Sequence, residues 1–290
     1  MYRIVRKEAL KPTVILYEIE APMIARKAEP GQFIILRVDE MGERIPITIH
    51  DYDREKGTVT IIVQTVGSTT EKLSHKEQGD FLQDFVGPLG KPTETEGKKK
   101  VCVVGGGVGC AIAYPVLKKF HDCGAEVHAV VGFKSKDVVI LEDKFRAATS
   151  VLKVCTDDGS YGQKGLVTDA LKELLDEGNV YDEIFAIGPM VMMKFVSKTT
   201  EPYGVPTTVS MSPIMIDGTG MCGGCRAVVG GETKFVCVDG PEFDAHLVDF
   251  DNMMKRLKAF VPQEKAVLEK HQCNLVRMAD AIQATSAART

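Results

Sequence analysis

No stretch of this 290-residue chain approaches the roughly 18 consecutive apolar residues that cross a bilayer, so no membrane-spanning helix is expected. Neither sign of charge dominates: 36 basic residues against 40 acidic ones leave a net charge of −4, which argues against nucleic acid as a partner. Histidine is scarce, and its six occurrences (50, 75, 121, 128, 246 and 271) are dispersed, so none is assigned a catalytic role. Paired cysteine spacing is missing from Cys102, Cys110, Cys123, Cys155 and Cys273, and several of these fall in apolar strand patterns as small buried hydrophobes. A disulfide scaffold is therefore not expected. The first residues, Met1 to Lys7, contain no apolar core of signal-peptide length, and a cytoplasmic protein is the expectation. No internal repeat is found. With 44% hydrophobic and 26% charged residues, the chain has an ordinary globular composition and room for two domains and a smaller module.

The remaining three cysteines form the densest motif. Asp217, Cys222, Cys225 and Cys237 read D-x4-C-x2-C-x11-C, the plant-type 2Fe–2S spacing with aspartate in the first place. A carboxylate can ligate ferric iron. Gly218, Gly220, Gly223 and Gly224 let the backbone wrap a cluster and direct N–H groups at its sulfurs. The alternative is a structural zinc site of three cysteines and an acid. Structural zinc more often uses two short pairs, so the spacing favours iron–sulfur. Asp217 can equally be read as a turn residue.

The grammar of the chain divides it into parts. Residues 1–97 carry short β-rich runs, around Thr13–Ile19, Gln32–Val38, Ile45–Ile49 and Gly57–Val63, that suit a small barrel. Pro92 to Lys100 reads as a polar linker with no hydrophobic residue to bury. Over 98–211, strands near 101–104, 126–132, 152–156, 183–188 and 207–211 alternate with helices, which predicts a doubly wound parallel sheet. A cluster module over 212–245 follows, then a C-terminal helix and tail over 246–290, with a charged helix from Val248 to about Lys270 and a frayed end from Ala281.

Strand ends in the second part carry glycine. Gly105 to Gly109 closes a strand and opens a helix, where backbone N–H groups suit a pyrophosphate. Cys110 stands where the third glycine of G-x-G-x-x-G would fall, and Lys134 and Lys136 stand where an acid usually meets the ribose. A structural turn in a nucleotide-free domain is the bland alternative. Asp157-Asp158-Gly159 and Gly188-Pro189-Met190 close two further strands, and ligands of open α/β sheets bind beyond such ends. In the first part, Arg44 suits a diphosphate, Thr48 a flavin ring edge, and the turn Gly67-Ser68-Thr69-Thr70 a phosphate.

In this order, Pro30-Gly31-Gln32-Phe33, Arg44-x-Pro46-x-Thr48, Gly67-x-x-Thr70, Gly87-Pro88-Leu89-Gly90, the glycine run, Asp157–Ser160 and Gly188-Pro189-Met190 resemble the ferredoxin–NADP reductase superfamily. With the appended cluster motif, the chain is similar to the electron-transfer subunits of dihydroorotate dehydrogenase and their relatives. Aspartate at 217 resembles the small-subunit branch of NADH-dependent reduced ferredoxin:NADP+ oxidoreductases, also called sulfide dehydrogenase subunits. Ile187 stands where the family often has cysteine.

The resemblance implies FAD held by the barrel through Arg44, Pro46, Ile47, Thr48, Gln64, Gly67, Ser68, Thr69 and Thr70. It implies NAD(H), with NADP(H) left open by Lys134 and Lys136, at Gly106, Gly107, Val108, Gly109, Asp157, Asp158, Gly159, Gly188, Pro189 and Met190. It further implies a 2Fe–2S cluster on Asp217, Cys222, Cys225 and Cys237. Its expected partner is a larger flavoprotein subunit with FAD and 4Fe–4S clusters, through which ferredoxin would be reached in electron bifurcation. A subunit serving a dihydroorotate or sulfur-compound oxidoreductase, and a redox-sensing interaction protein without turnover, remain the alternatives.

Overall fold

The computed structural model describes residues 1–266. Its first part is a barrel of two antiparallel sheets. β1 (Tyr2–Lys11), β2 (Val14–Glu20), β5 (Asp51–Asp53), β6 (Thr58–Gln64) and β7 (Phe81–Leu82) pair in the order β5-β6-β2-β1-β7. β3 (Phe33–Arg37), β4 (Ile45–Thr48) and β8 (Asp84–Leu89) form the second sheet, with β3 central. Period-two alternation puts Ile15, Tyr17 and Ile19 of β2 against Ile34 and Leu36 of β3, closing a core that excludes water. Tyr17, fully buried, donates its hydroxyl hydrogen to the Leu73 carbonyl at 2.8 Å.

The second part follows the expected doubly wound plan. β9 (Lys100–Gly106), β10 (Glu126–Phe133), β11 (Val151–Thr156), β12 (Gln163–Lys164), β13 (Glu183–Ile187) and β14 (Thr207–Ser210) are parallel, in the order β12-β11-β10-β9-β13-β14. The chain reverses its direction of winding at β9, which makes the carboxyl ends of β9 and β13 the switch point. Alternation along the strands explains why both faces are covered. Val101, Val103, Phe185 and Ile187 pack toward the helix Gly109–Asp122. Cys102, Val104, Ile184 and Ala186 pack toward the helices Val167–Asp176 and Met190–Thr200.

The third part joins that second layer. Its hairpin, β15 (Arg226–Val229) with β16 (Glu232–Phe235), buries Ala227 and Val229 in the same apolar cluster, beside Phe250 and Met253. Its last strand, β17 (Glu242–Asp244), adds to β14 as an antiparallel edge. The charged helix is shorter than expected: it runs Phe250–Leu257, started by the Asp249 carboxylate accepting from the Asn252 N–H at 2.9 Å and stopped by a turn at 258–260, before helix resumes at 261–266. The expected helix end near Lys270 and the expected frayed end from Ala281 lie outside the described residues. Among these, no helix is long and apolar enough to cross a membrane.

Two contacts fix the barrel against the parallel sheet. Pro115 sits inside the helix Gly109–Asp122 and has no N–H, so the Ala111 carbonyl four residues earlier loses its helical donor. His50, buried in the barrel, supplies the replacement: its Nδ1–H donates to that carbonyl at 2.7 Å. Burial then holds its imidazole below the usual histidine range, in the neutral form. The linker reading of 92–100 is also corrected here, because Thr93 is buried by its polar atoms. Its N–H donates to the Pro30 carbonyl (2.9 Å) and its hydroxyl to Glu242 (2.7 Å).

Glu242 carries a testable consequence. Burial raises its carboxyl to about 7, reinforced by Glu183 and opposed by the Thr93 hydroxyl, Lys98 and Lys119. The folded state therefore holds a proton that the unfolded chain releases near 4.5. Stability from this group is fully present below that pH and is lost as pH rises through about 7, by at most roughly 3 kcal/mol. Glu242→Gln should flatten that part of the pH–stability curve and stabilise the protein at pH 8. An unchanged urea midpoint profile in the variant would refute the assignment.

Candidate functional site

A cleft of about 580 Å³ opens where the barrel meets the switch point of the parallel sheet. Pro46 and Thr48, two apart on β4, face it with Phe33 and Gln64. Across it lie Gly106, Gly107, Val108 and Gly109 at the end of β9, and Gly188-Pro189 at the end of β13. Ser210, Met211, Ser212 and Met215, on the segment leading to the cysteine loop, complete the wall.

The local backbone explains why these positions are glycine. Gly107 turns at φ +56°, which favours a residue without Cβ. At Gly109 a Cβ would lie 2.6 Å from the Ile187 carbonyl oxygen and 2.7 Å from the Gly188 Cα, so only hydrogen permits the two strand ends to meet. Their approach directs the start of the helix Gly109–Asp122 at the cleft. No acid stands in that first turn, no carboxylate among the described residues lines the cleft, and Lys134 reaches its wall. The electrostatics suit an anionic, pyrophosphate-bearing ligand.

Other expected residues lie elsewhere. Ile47 packs against the barrel core. The turn after β6 adjoins the cleft only through Val66; Thr69 is buried, and the Thr70 hydroxyl accepts from the N–H groups of Val66 and Gly67 (both 3.0 Å) and donates to the Gly67 carbonyl. Asp157, Asp158 and Gly159 do not line the cleft. They are zipped to the end of β10, with the Asp157 N–H donating to the Phe133 carbonyl (3.0 Å) and the Asp158 carboxylate accepting from Ser160. Met190 opens its helix and packs on the core. Arg44 points toward the cysteine loop: its Nε donates to the Ile216 carbonyl at 2.7 Å and its Nη1 lies 3.4 Å from Asp84. Of the cleft residues outside the expected site, Phe33 belongs to a motif noted in the sequence, and Ser212 and Met215 lie on the stretch leading to the cysteine motif, which the topology brings to the cleft.

The cysteine loop holds its cysteines in two kinds of surroundings. Cys225 and Cys237 are buried with their sulfurs 3.3 Å apart, and burial with the neighbouring Cys225 pushes the Cys237 thiol above its usual range. Cys222 is exposed, and its thiol is held below the usual range by N–H groups, first Gly224 and then Asp217 and Ile216. Asp217 is held as a carboxylate by the Thr219 hydroxyl (2.6 Å) and the N–H groups of Thr219 and Met221. Among the described residues no three His, Cys, Asp or Glu side chains converge on one point. A binuclear cluster divides its ligands between two metals, and the close buried sulfur pair and the N–H groups aimed at Cys222 fit that division.

A flavin barrel and a dinucleotide sheet around one cleft, with the approach to a cysteine loop in its wall, are the parts of an oxidoreductase that moves electrons between nucleotide cofactors and an iron–sulfur centre. Residues 212–249 match the iron–sulfur cluster binding domain of dihydroorotate dehydrogenase B. The chain is 46% identical to a dihydroorotate dehydrogenase B (NAD(+)) electron transfer subunit homolog of Thermotoga maritima, covering 92% of this chain and 94% of that protein. It is 34% identical to the electron transfer subunit of Geobacillus thermodenitrificans, over 78% and 89%. It therefore belongs to the dihydroorotate dehydrogenase B electron-transfer subunit family. A solved chain from NADH-dependent reduced ferredoxin-NADP oxidoreductase, reported for flavin-based electron bifurcation, superposes with a TM-score of 0.89 at 43% identity, covering 94% of this chain and 98% of that one. A cytochrome P450 reductase of Amycolatopsis shares the fold at 19% identity, over 69% of this chain and 65% of that one, with a TM-score of 0.59.

Proposed function

We propose that this chain is the NAD(H)-linked electron-transfer subunit of an electron-bifurcating ferredoxin:NADP+ oxidoreductase, working beside a larger flavoprotein subunit that carries FAD and 4Fe–4S clusters. One arrangement carries the reading: both nucleotide-binding strand ends and the approach to the cysteine loop line the same cleft. When bound, FAD supplies the exchange between two-electron chemistry with NAD(H) and one-electron chemistry with a 2Fe–2S centre.

The residues would divide the work as follows. Pro46, Thr48 and Gln64 hold and orient the flavin from the barrel side, and Ile47 keeps β4, the strand of Pro46 and Thr48, registered by packing inward. Gly67, Ser68, Thr69 and Thr70 form the turn that suits its phosphates. Gly106, Gly107, Val108 and Gly109 receive the dinucleotide at the helix start, with Gly188 and Pro189 beside them. Met190 anchors that second strand end. Asp157, Asp158 and Gly159 shape the adjoining rim by holding the loop that presents Lys134. Cys222, Cys225, Cys237 and Asp217 hold the cluster, and the two buried thiols must lose their protons to do so.

Anaerobically prepared protein should contain iron and acid-labile sulfide, and NADH should bleach its yellow flavin. Zinc without sulfide would overturn the cluster assignment. An anaerobic pull-down that returns a flavoprotein with cysteine motifs for two 4Fe–4S clusters would support the bifurcating partner. Recovery of a dihydroorotate-oxidising subunit would instead favour the second reading, which the names of the relatives make specific.

A further inference from the structure

The sequence offers Arg44 to a flavin diphosphate, but its side chain goes to the other cofactor region. Its Nε donates to the Ile216 carbonyl at 2.7 Å, across 172 residues of chain, one residue before Asp217. Asp84 orients the guanidinium from behind: one carboxylate oxygen is shared between Arg37 (2.7 Å) and Arg44 (3.4 Å). The same stretch of loop is seated directly on the barrel. Gly218 lies so close to β8 and β3 that a Cβ there would stand 2.7 Å from Leu89 Cδ1 and 3.3 Å from Ile35 Cδ1.

Resting on the cluster reading above, we propose that Arg44 is a positioning residue for the iron–sulfur loop. It locks the Asp217 end of that loop to the strand whose Pro46 and Thr48 face the cleft, and it places a fixed positive charge beside the cluster. Two consequences follow from ordinary electrostatics. A reduced cluster carries one more negative charge, so a nearby guanidinium favours reduction. A planar donor anchored by a carboxylate also fixes the loop carbonyl more tightly than an ammonium can. Flavin retention is not assigned to Arg44, because two of its donors, Nε and Nη1, are turned to Ile216 and Asp84.

The test uses the full chain, prepared anaerobically, with Arg44→Gln and Arg44→Lys. Flavin content, iron, sulfide and the cluster's midpoint potential by EPR-monitored titration are measured together. In Arg44→Gln the flavin should stay and the equilibrium constant for cluster reduction should fall about tenfold, about 59 mV for one electron. Arg44→Lys should recover most of that shift. If Arg44→Gln cannot hold the cluster, a near-native potential in Arg44→Lys still supports the charge assignment. An unchanged midpoint in Arg44→Gln, or loss of flavin with the midpoint intact, would overturn it. Wild-type protein without iron and sulfide would instead sink the underlying cluster reading.

Discussion

Gly109→Ala should slow flavin reduction by NADH by about 100-fold or more, while iron, sulfide and flavin contents stay near those of the wild type. The added methyl meets backbone, not a flexible side chain: the Ile187 oxygen at 2.6 Å and the Gly188 Cα at 2.7 Å. Relief requires the ends of β9 and β13 to separate. That separation moves the helix start and Pro189 apart along the wall of the cleft they share. Dithionite, which needs no dinucleotide site, should reduce the variant normally. Anaerobic stopped-flow with NADH against a dithionite titration separates these effects, and wild-type NADH kinetics in the variant would show that the dinucleotide binds elsewhere.

Much of this cleft is legible in the sequence, for a physical reason. A glycine between a buried β-strand and an amphipathic helix reports a local steric demand, and Gly105 to Gly109 and Gly188-Pro189 are local in that sense. The cysteine spacing is likewise a short-range constraint set by the size of what it wraps. Arg44 is not legible, because a guanidinium satisfies a carbonyl as readily as a phosphate, and its partner lies 172 residues away. Thr93 misleads for the same reason: it is buried through a carboxylate 149 positions distant, with no apolar side chain to announce it. The helix expected to reach Lys270 shows the reverse error, in which continuous charge patterning hides a turn at 258–260.

Cys225→Ser should remove the iron and sulfide almost completely and leave the flavin reducible by NADH. Cys225 is 1% exposed and its sulfur lies 3.3 Å from that of Cys237, so a harder, more weakly acidic hydroxyl would replace the proposed thiolate ligand. Electron delivery to a one-electron acceptor protein should collapse, whereas direct reduction of a two-electron dye should persist. Cys102→Ser is the matched control, since Cys102 is equally buried but lies inside β9. Its variant should keep full metal content at some cost in stability. Full iron and sulfide in Cys225→Ser, measured alongside that control, would remove Cys225 from the ligand set.

The edge strand β17 gives the cysteine segment a second duty. It supplies the outermost ladder of the seven-stranded sheet, pairing Glu242, Phe243 and Asp244 with Ser210, Val209 and Thr208. A chain cut after residue 211 would keep every parallel strand yet present β14 with its outer N–H and C=O groups bare, a template for joining another copy. The nucleotide domain is thus not a separable cassette: expressing it alone invites self-association, and grafting it into another reductase requires carrying the metal-binding segment, or a substitute cap, along with it.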